Sequence, residues 1–199
     1  MQKDKLLGLP PATAMSYSVD VQAKERLYKE VGKLMVDHGF VADGPYWRRK
    51  SNETIASLFI ENYHSSFLSY VSVGVYVIGL SNKRTRKPKL GQMHGWTRLA
   101  QLTPATTRPQ IALKGDGTED TSKMVDEVVY AIRNVGLEIL DELSSLEGTK
   151  RLIDKYGDCR WYIGPLLKEK LYENPVIQIS GTLALRDWEI SGSVDPYHK

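Results

Sequence analysis

The spacing of apolar residues predicts one helix near the start of the chain. Apolar residues recur at intervals of three and four, which is one face of an α-helix, at Leu27, Val31, Leu34 and Met35. Asp20 suits the N-cap of this helix, and Gly39 suits its C-terminal stop. We expect Phe40, which follows directly, to enter the core. Before the helix, Pro10 and Pro11 favour an extended arm over residues 1–19.

A period of two in the next segment predicts strands. The first covers about residues 54–62 and the second residues 67–80, with residues 64–66 as a short hairpin connection. The second strand places four valines on one face, namely Val71, Val73, Val75 and Val77. Residues 96–102 suggest a third strand. The stretch Asp43-Gly44-Pro45, which precedes all three, indicates a turn.

Helical spacing returns in the second half of the chain. It predicts a helix from an N-cap at Thr121 to about Leu146, ended by Gly148. A short helix around residues 152–156 and another over 165–172 follow. The remainder combines strand-like pieces with no clear period.

This order of elements predicts an α+β fold. It consists of an N-terminal helix, an antiparallel meander of about three strands and then two to four helices on one face. We expect an extended arm at 1–19, an α+β core domain at 20–157 and an extension of the same domain at 158–199. A mixed helix and strand tail closes the chain.

Composition places the chain among ordinary globular proteins. Hydrophobic residues make up 41% and charged residues 26% of 199 residues, so we expect a packed core. The single cysteine, Cys159, excludes an intrachain disulfide and fits a reducing compartment. The sequence shows neither a signal peptide nor an apolar run long enough for a membrane span. These features favour a cytoplasmic protein.

Charge changes this picture because it is divided along the chain. Residues 45–115 hold eleven basic and two acidic residues, a balance of +9, while residues 116–159 hold five basic and eleven acidic residues, a balance of −6. The densest basic stretch is SNKRTRKPKLGQMHGW at 81–96, between the second and third predicted strands. A basic block can mark an anionic partner, or the two blocks can face each other or lie in solvent.

The pair Trp47 and Arg49 allows two interpretations. Both share one face of an extended segment, with Arg48 on the other. In the structural interpretation, Trp47 covers the sheet edge and one arginine meets an acid of the helix at 121–146. In the functional interpretation, tryptophan and arginine anchor a partner.

The run GFVADGPYWRRKSNETIASLFIENYHSSFLSYVSVGVYV resembles a family of mostly bacterial domains of unknown function, DUF4304. The shared pattern is a helix ending in Gly39-Phe40, then Trp47-Arg48, then Val73-Gly74-Val75. Later, LEILDELSSLEGTKRLIDKY is similar to the helical half of such domains. The resemblance covers about residues 22–157. It implies an α+β fold without an established enzymatic activity, and some similar small domains look like immunity proteins that bind and block a toxin.

The sequence contains no recognisable catalytic constellation, phosphate loop or dinucleotide fingerprint. The acidic stretch 115–120 suits a turn better than a calcium loop. Cys159 is the one candidate nucleophile, with Arg160 beside it to lower its pKa, but no histidine is placed near it. The four histidines lack the spacing of metal ligands. We therefore expect no cofactor, no metal and no catalytic residue.

We predict a non-enzymatic module that binds an acidic protein, with an immunity protein as one form of it. The predicted partner-binding residues are Trp47, Arg48, Arg49, Lys83, Arg84, Arg86, Lys87, Lys89, His94 and Trp96. A nucleic-acid-binding module that uses the loop at 83–89 is a second hypothesis, because lysines, arginines and nearby aromatics suit phosphates and bases. A passive solvated loop and an enzyme of unrecognised class are two further hypotheses. The oligomeric state and the role of residues 158–199 stay open.

Overall fold

The computed structural model of the chain describes residues 21–63, 68–81, 85–103, 110–112 and 121–172. Some predictions lie outside these residues: the arm at 1–19, the cap at Asp20, the connection at 64–66, the basic residues Lys83 and Arg84, the turn at 115–120 and the tail beyond 172.

The first helix, α1, spans Val21–Asp37 and confirms the helical spacing. Its buried residues are Ala23, Leu27, Val31, Leu34 and Met35. Gly39 follows with φ of 78°, a left-handed conformation that glycine adopts without strain. The chain therefore reverses at Gly39, and Phe40 is buried as expected.

Seven strands of the described residues form one antiparallel sheet. They are β1 (Val41–Asp43), β2 (Tyr46–Lys50), β3 (Thr54–Tyr63), β4 (Leu68–Val77), β5 (Gly95–Arg98), β6 (Gln110–Ala112) and β7 (Tyr162–Ile163). Their order is β1-β2-β3-β4-β5-β7, and β6 also pairs with β4. The sheet has more strands than the expected meander of about three. One reason is that residues 41–50 form a hairpin and not only a turn.

One face of this sheet, which we call the helical face, is built by alternate residues of β3 and β4. The register pairs Leu58 with Val73 and Ala56 with Val75, and all four side chains are buried. The valines at 71, 73, 75 and 77 share this face, as the period of two predicts. It forms one hydrophobic core with the buried residues of α1 and of the later helices.

Five further helices follow the strand meander. They are α2 (Leu99–Leu102), α3 (Thr121–Ala131), α4 (Leu137–Glu142), α5 (Leu146–Tyr156) and α6 (Pro165–Tyr172). A π-helical segment, Ile132–Gly136, joins α3 to α4, and Gly136 there allows close packing against Leu99. No helix within the described ranges is long and apolar enough to cross a membrane.

Two predicted boundaries were wrong. The helix from Thr121 ends at Glu142 rather than near Leu146, and Gly148 lies inside α5. Ser145 caps α5 by accepting a hydrogen bond from the Gly148 amide at 3.0 Å. A side chain at Gly148 would overlap the Glu142 carbonyl oxygen, so this glycine permits a tight α4–α5 connection rather than ending a helix.

The predicted third strand, 96–102, is also only partly strand. It forms β5 over Gly95–Arg98 and then turns into α2, whose Leu99 and Leu102 enter the core. The fold class is nevertheless the predicted one, an α+β arrangement with an N-terminal helix, an antiparallel sheet and later helices.

Candidate functional site

The basic stretch between β4 and β5 lies across the sheet. The segment Thr85–His94, which we call the strap, contacts the face that carries Tyr46, Arg48 and Tyr76. The Leu90 amide donates to the Tyr46 hydroxyl at 3.3 Å, and the His94 amide donates to the Val75 carbonyl at 2.9 Å. We call this the open face because, within the described residues, no α-helix contributes to the small apolar cluster that it forms with the strap.

Arg48 fastens the strap to β2. Its Nε and Nη2 donate to the Pro88 carbonyl at 3.2 and 2.9 Å, and its Nη1 donates to Asp43 Oδ2 at 2.7 Å. The guanidinium also lies 4.3 Å from the centroid of the Tyr46 ring. Arg48 is only 7% exposed, and a buried charge of this kind is tolerated when it is paired and hydrogen-bonded. Arg48 is thus an internal anchor.

Asp43 joins the same cluster from β1. Its Oδ1 accepts a hydrogen bond from Lys87 Nζ at 3.1 Å, while Oδ2 accepts from Arg48. The hydrogen bond from Lys87, together with the positive charges of Lys87 and Arg48, lowers the pKa of the Asp43 carboxyl. The carboxylate therefore bridges one residue of β2 and one residue of the strap.

His94 fixes the other end of the strap. Its ring stacks on Tyr76 with centroids 4.6 Å apart, and its Nδ1 accepts a hydrogen bond from the Val77 amide at 2.9 Å. Burial lowers the pKa of His94. Its carbonyl accepts from the Gly164 amide at 2.8 Å, which ties the strap to the segment after β7. His94 is thus held by both backbone and ring.

A small apolar cluster lies between the strap and the sheet. It contains Ile55, Tyr76 and Met93, with Trp96 packed against it. Gly74 makes this contact possible, since a Cβ there would lie 3.1 Å from Trp96 Cβ and 3.4 Å from Met93 Cγ. The cluster is far smaller than the core on the helical face.

Several cations of the open face remain exposed after these contacts. Lys50 ends β2 on this face, and Arg86 and Lys89 belong to the strap. None of the three forms an ion pair with another described residue. Lys87 is paired with Asp43, yet its side chain is 71% exposed. The strap therefore presents positive charge that the described residues leave largely unmatched.

Trp47 and Arg49 lie on the helical face instead. Trp47 is 2% exposed, with its ring 5.9 Å from that of Tyr28. Arg49 forms an ion pair with Asp141 of α4 and lies over the Phe40 ring at 4.6 Å. The structural interpretation of this arginine, a pair with an acid of the helix at 121–146, is confirmed. Neither residue is available to a partner on the open face.

Aromatic side chains continue the open face towards β7. Trp96 is half-buried, and its ring centroid lies 6.0 Å from that of Tyr162, which is 43% exposed. Arg98 lies over the Tyr70 ring at 4.0 Å. Stacked rings and guanidinium groups of this kind offer flat contact area to a partner. Of the predicted site, the open face thus carries Arg48, Arg86, Lys87, Lys89, His94 and Trp96.

The described residues hold no group of three or more histidine, cysteine or acidic side chains that could bind a metal ion. Cys159 is exposed in a short turn after α5. His38 Nδ1 is hydrogen-bonded to the Leu34 carbonyl, and His94 Nδ1 to the Val77 amide, so neither of these ring nitrogens is directed at Cys159. The other two histidines, His64 and His198, fall outside the described ranges.

Fold and site together define an α+β domain with helices on one face of an antiparallel sheet and a basic strap on the other. The model of the family described as "Domain of unknown function (DUF4304)" matches residues 31–142, more than half of the chain. The chain belongs to this family. The match is narrower than the resemblance at 22–157, but it includes Asp43, Arg48 and the whole strap. None of the curated proteins and none of the solved structures matches the chain.

The roles of Asp43, Tyr46 and Met93 were not predicted from the sequence. The turn signal at Gly44-Pro45 could have revealed the first two, because a hairpin there pairs Asp43 with Tyr46 and places Arg48 on the same face. Pro88 contacts Arg48, 40 positions away, and Met93 packs against residues of two strands, so no local pattern encodes these contacts.

Proposed function

We propose that this chain is a non-enzymatic protein-binding module that holds an acidic protein on the open face of its sheet. The observation that supports this most is the strap, whose exposed Arg86 and Lys89 are fixed over the sheet without an acidic partner among the described residues. The backbone contacts of the strap already fix the segment that carries these charges, so binding has to order only their side chains. Complementary charge of this kind chiefly increases the rate of association and the specificity.

Apolar contact would supply the rest of the affinity. Trp96 and Tyr162 lie side by side at the β7 edge of the open face, and tryptophan and tyrosine are frequent hot spots of interfaces. Arg48 would act indirectly, since it holds Pro88 and thereby the strap. The proposed surface thus combines a positioned basic strap with an aromatic pair.

An immunity function is the more specific form of this proposal. The acidic protein would then be a toxin, and binding would occlude its active surface. This form draws on the resemblance to small domains that look like immunity proteins, and the exposed cations of the strap are compatible with it.

A nucleic-acid-binding module is the second candidate. The cations next to the aromatic rings of Trp96 and Tyr162 favour it, because phosphates and bases use both kinds of contact. Arg48 counts against it, because it is buried and already bonded to Asp43 and Pro88, so it is not available to a phosphate. Binding to phosphates would also weaken steeply with added salt.

The test is capture from a lysate of the source organism, with nuclease added, using three versions of the protein as bait. The first is the wild type and the second carries Arg86→Glu with Lys89→Glu. The third, a matched control, carries Lys29→Glu with Lys33→Glu, which reverses two exposed lysines of α1.

We expect an acidic protein, identified by mass spectrometry, to be retained stoichiometrically by the wild type and the α1 control and lost from the strap variant. Equal retention by all three versions would contradict the strap as the binding surface. Recovery of nucleic acid instead, in a parallel experiment without nuclease, would favour the second candidate.

A further inference from the structure

The carboxylate of Asp43 is bound in the way that a carboxylate of an acidic partner would be. One oxygen accepts from the guanidinium of Arg48, and the other accepts from the ammonium of Lys87. Charge-assisted contacts of this geometry are the usual means by which basic side chains recognise carboxylates. The strap thus already contains an occupied carboxylate position.

The two cations that bind Asp43 differ in their exposure to solvent. Arg48 is buried and also bonded to Pro88, so it cannot leave its place without loss of the strap contact. Lys87 is 71% exposed and Asp43 is 37% exposed, and the Lys87–Asp43 pair therefore lies in solvent. Exposed ion pairs contribute little stability, so Lys87 can exchange one carboxylate for another at small cost.

We propose that Asp43 is an internal competitor of the acidic partner, which binds Lys87 only by displacing the Asp43 carboxylate from it. This inference rests on the proposed function, and it adds an autoinhibitory contact to the binding surface. The partner binds the strap through Arg86 and Lys89 first, and Lys87 joins when its carboxylate is exchanged. Asp43 thereby sets how acidic a partner must be to bind fully.

The substitution Asp43→Asn separates the two roles of this residue. The amide oxygen of asparagine can still accept a hydrogen bond from Arg48, so the strap stays anchored. The negative charge is lost, and Lys87 is released. We expect the variant to fold like the wild type, which circular dichroism and thermal unfolding would check.

The probe is a fluorescein-labelled oligoglutamate peptide, whose affinity is measured by fluorescence anisotropy at low salt. Asp43→Asn should bind it about two- to fivefold more tightly than the wild type, which is the range that one exposed ion pair allows. The matched control is Glu169→Gln, which removes one exposed negative charge from α6 on the helical side. It should change the affinity by much less, because salt screens distant charges.

A double-mutant cycle distinguishes displacement from a general gain of positive charge. In a Lys87→Gln background, Asp43→Asn should no longer tighten binding, because the cation that it releases is absent. If the full gain persists without Lys87, or if Glu169→Gln gives the same gain, the competitor role of Asp43 is refuted.

A second comparison applies even if Asp43→Asn fails to fold. In an otherwise wild-type chain, Lys87→Gln should weaken peptide binding less than Lys89→Gln, because only Lys87 must first give up Asp43. An equal or larger effect of Lys87→Gln would overturn the inference.

Failure of the proposed function gives a different pattern. If Arg86→Gln and Lys89→Gln both leave the affinity for the peptide unchanged, the strap is not the binding surface at all. If these two substitutions weaken binding while Asp43→Asn does not strengthen it, the strap remains the proposed binding surface and only the competitor role of Asp43 is wrong.

Discussion

The two faces of the sheet differ in what covers them, although the same strands form both. The helical face is buried and apolar, and the helices cover it with side chains such as Leu27, Leu140 and Ile153. The open face has a cluster of three buried residues under the strap, and Phe59 of β3 is buried on the same face. Most of the burial that stabilises the fold therefore lies on one side, which leaves the other free to carry charge and aromatic rings.

The charges of the two sides differ in the same way. On the helical side, acids of the negative block are paired with nearby cations, as in Arg26–Asp126, Arg49–Asp141 and Lys168–Asp158. On the open face, Asp43 pairs with two cations and Glu61 accepts a hydrogen bond from Ser72, while Arg86 and Lys89 have no ion pair among the described residues. Ion pairs within a protein are typical of charges that support its fold. Exposed cations without an ion pair can instead bind an acidic partner.

The largest effect is expected from cavities in the two apolar clusters. Leu58→Ala removes a fully buried side chain of the helical face and should lower the free energy of unfolding by about 2–5 kcal/mol. Met93→Ala under the strap should cost less than about 2 kcal/mol, because the strap can settle into the space. Urea unfolding measures both, and equal losses would contradict the claim that the helical face dominates stability.

Substitution of two glycines tests the same difference in packing between the two faces. Gly148→Ala should cost about 3 kcal/mol, because the new methyl group meets the backbone carbonyl of Glu142. Gly74→Ala should cost less, about 1–2 kcal/mol, since its nearest neighbours, Trp96 Cβ at 3.1 Å and the Gly95 carbonyl oxygen at 3.2 Å, need to shift by only a few tenths of an ångström. Thermal unfolding of both variants tests which substitution costs more stability. A larger loss for Gly74→Ala would contradict the claim that packing under the strap contributes less to stability than packing on the helical face.

Arg48 and Arg49 lie on opposite faces of the sheet, so their substitution should change stability to different extents. Arg48→Lys loses the twin contact with Pro88 and should cost about 2 kcal/mol. Arg49→Lys can keep the ion pair with the exposed Asp141 and loses only weaker contacts, such as those with carbonyl oxygens at 3.3 and 3.4 Å, so it should cost about 1 kcal/mol. Hydrogen exchange supplies the site-specific readout. The amides of Leu90 and His94 should lose protection in Arg48→Lys while amides of α1 keep theirs. Uniform loss across the protein would argue against a separate strap.

The smallest expected effect is a dependence on pH. Burial lowers the pKa of His94, so the unfolded chain takes up its proton near the ordinary value of about 6.5 and the folded protein does so only at lower pH. Stability is therefore complete above about pH 6.5 and falls as the pH drops below it. Asp43, whose pKa is also lowered, loses its contribution only below about pH 4.

The check is the melting temperature at about pH 7.5 and about pH 5.5 for the wild type and His94→Phe. Phenylalanine can stack on Tyr76 but cannot titrate, so the difference between the two pH values should shrink. An unchanged difference would mean that another group causes it.

Local patterns predicted much of the fold. The spacing of α1, the alternation of β3 and β4 and the end of α1 at Gly39 all follow from local periodicity and glycine conformation. The misread segments depend on tertiary contacts. Gly148 acts as a close-approach residue rather than a helix breaker, and residues 99–102 turn helical because Leu99 and Leu102 pack into the core.

The site was predicted only in part for the same reason. Composition identified the strap cations, and alternation placed Trp47 and Arg49 together, opposite Arg48. Composition cannot say which cations are already paired. That Arg48 and Lys87 share Asp43, while Lys89 has no ion pair among the described residues, depends on how the strap crosses the sheet.

We propose that the open face, and not the helical side, is the binding surface. The most direct measurement is a map of amide chemical-shift changes by nuclear magnetic resonance as the oligoglutamate peptide is added to the wild-type protein. We predict that the changes concentrate in Thr85–His94, β1 and β2 and leave α1, α3 and α5 unmoved. Changes centred on those helices, or spread evenly over both faces, would contradict the account.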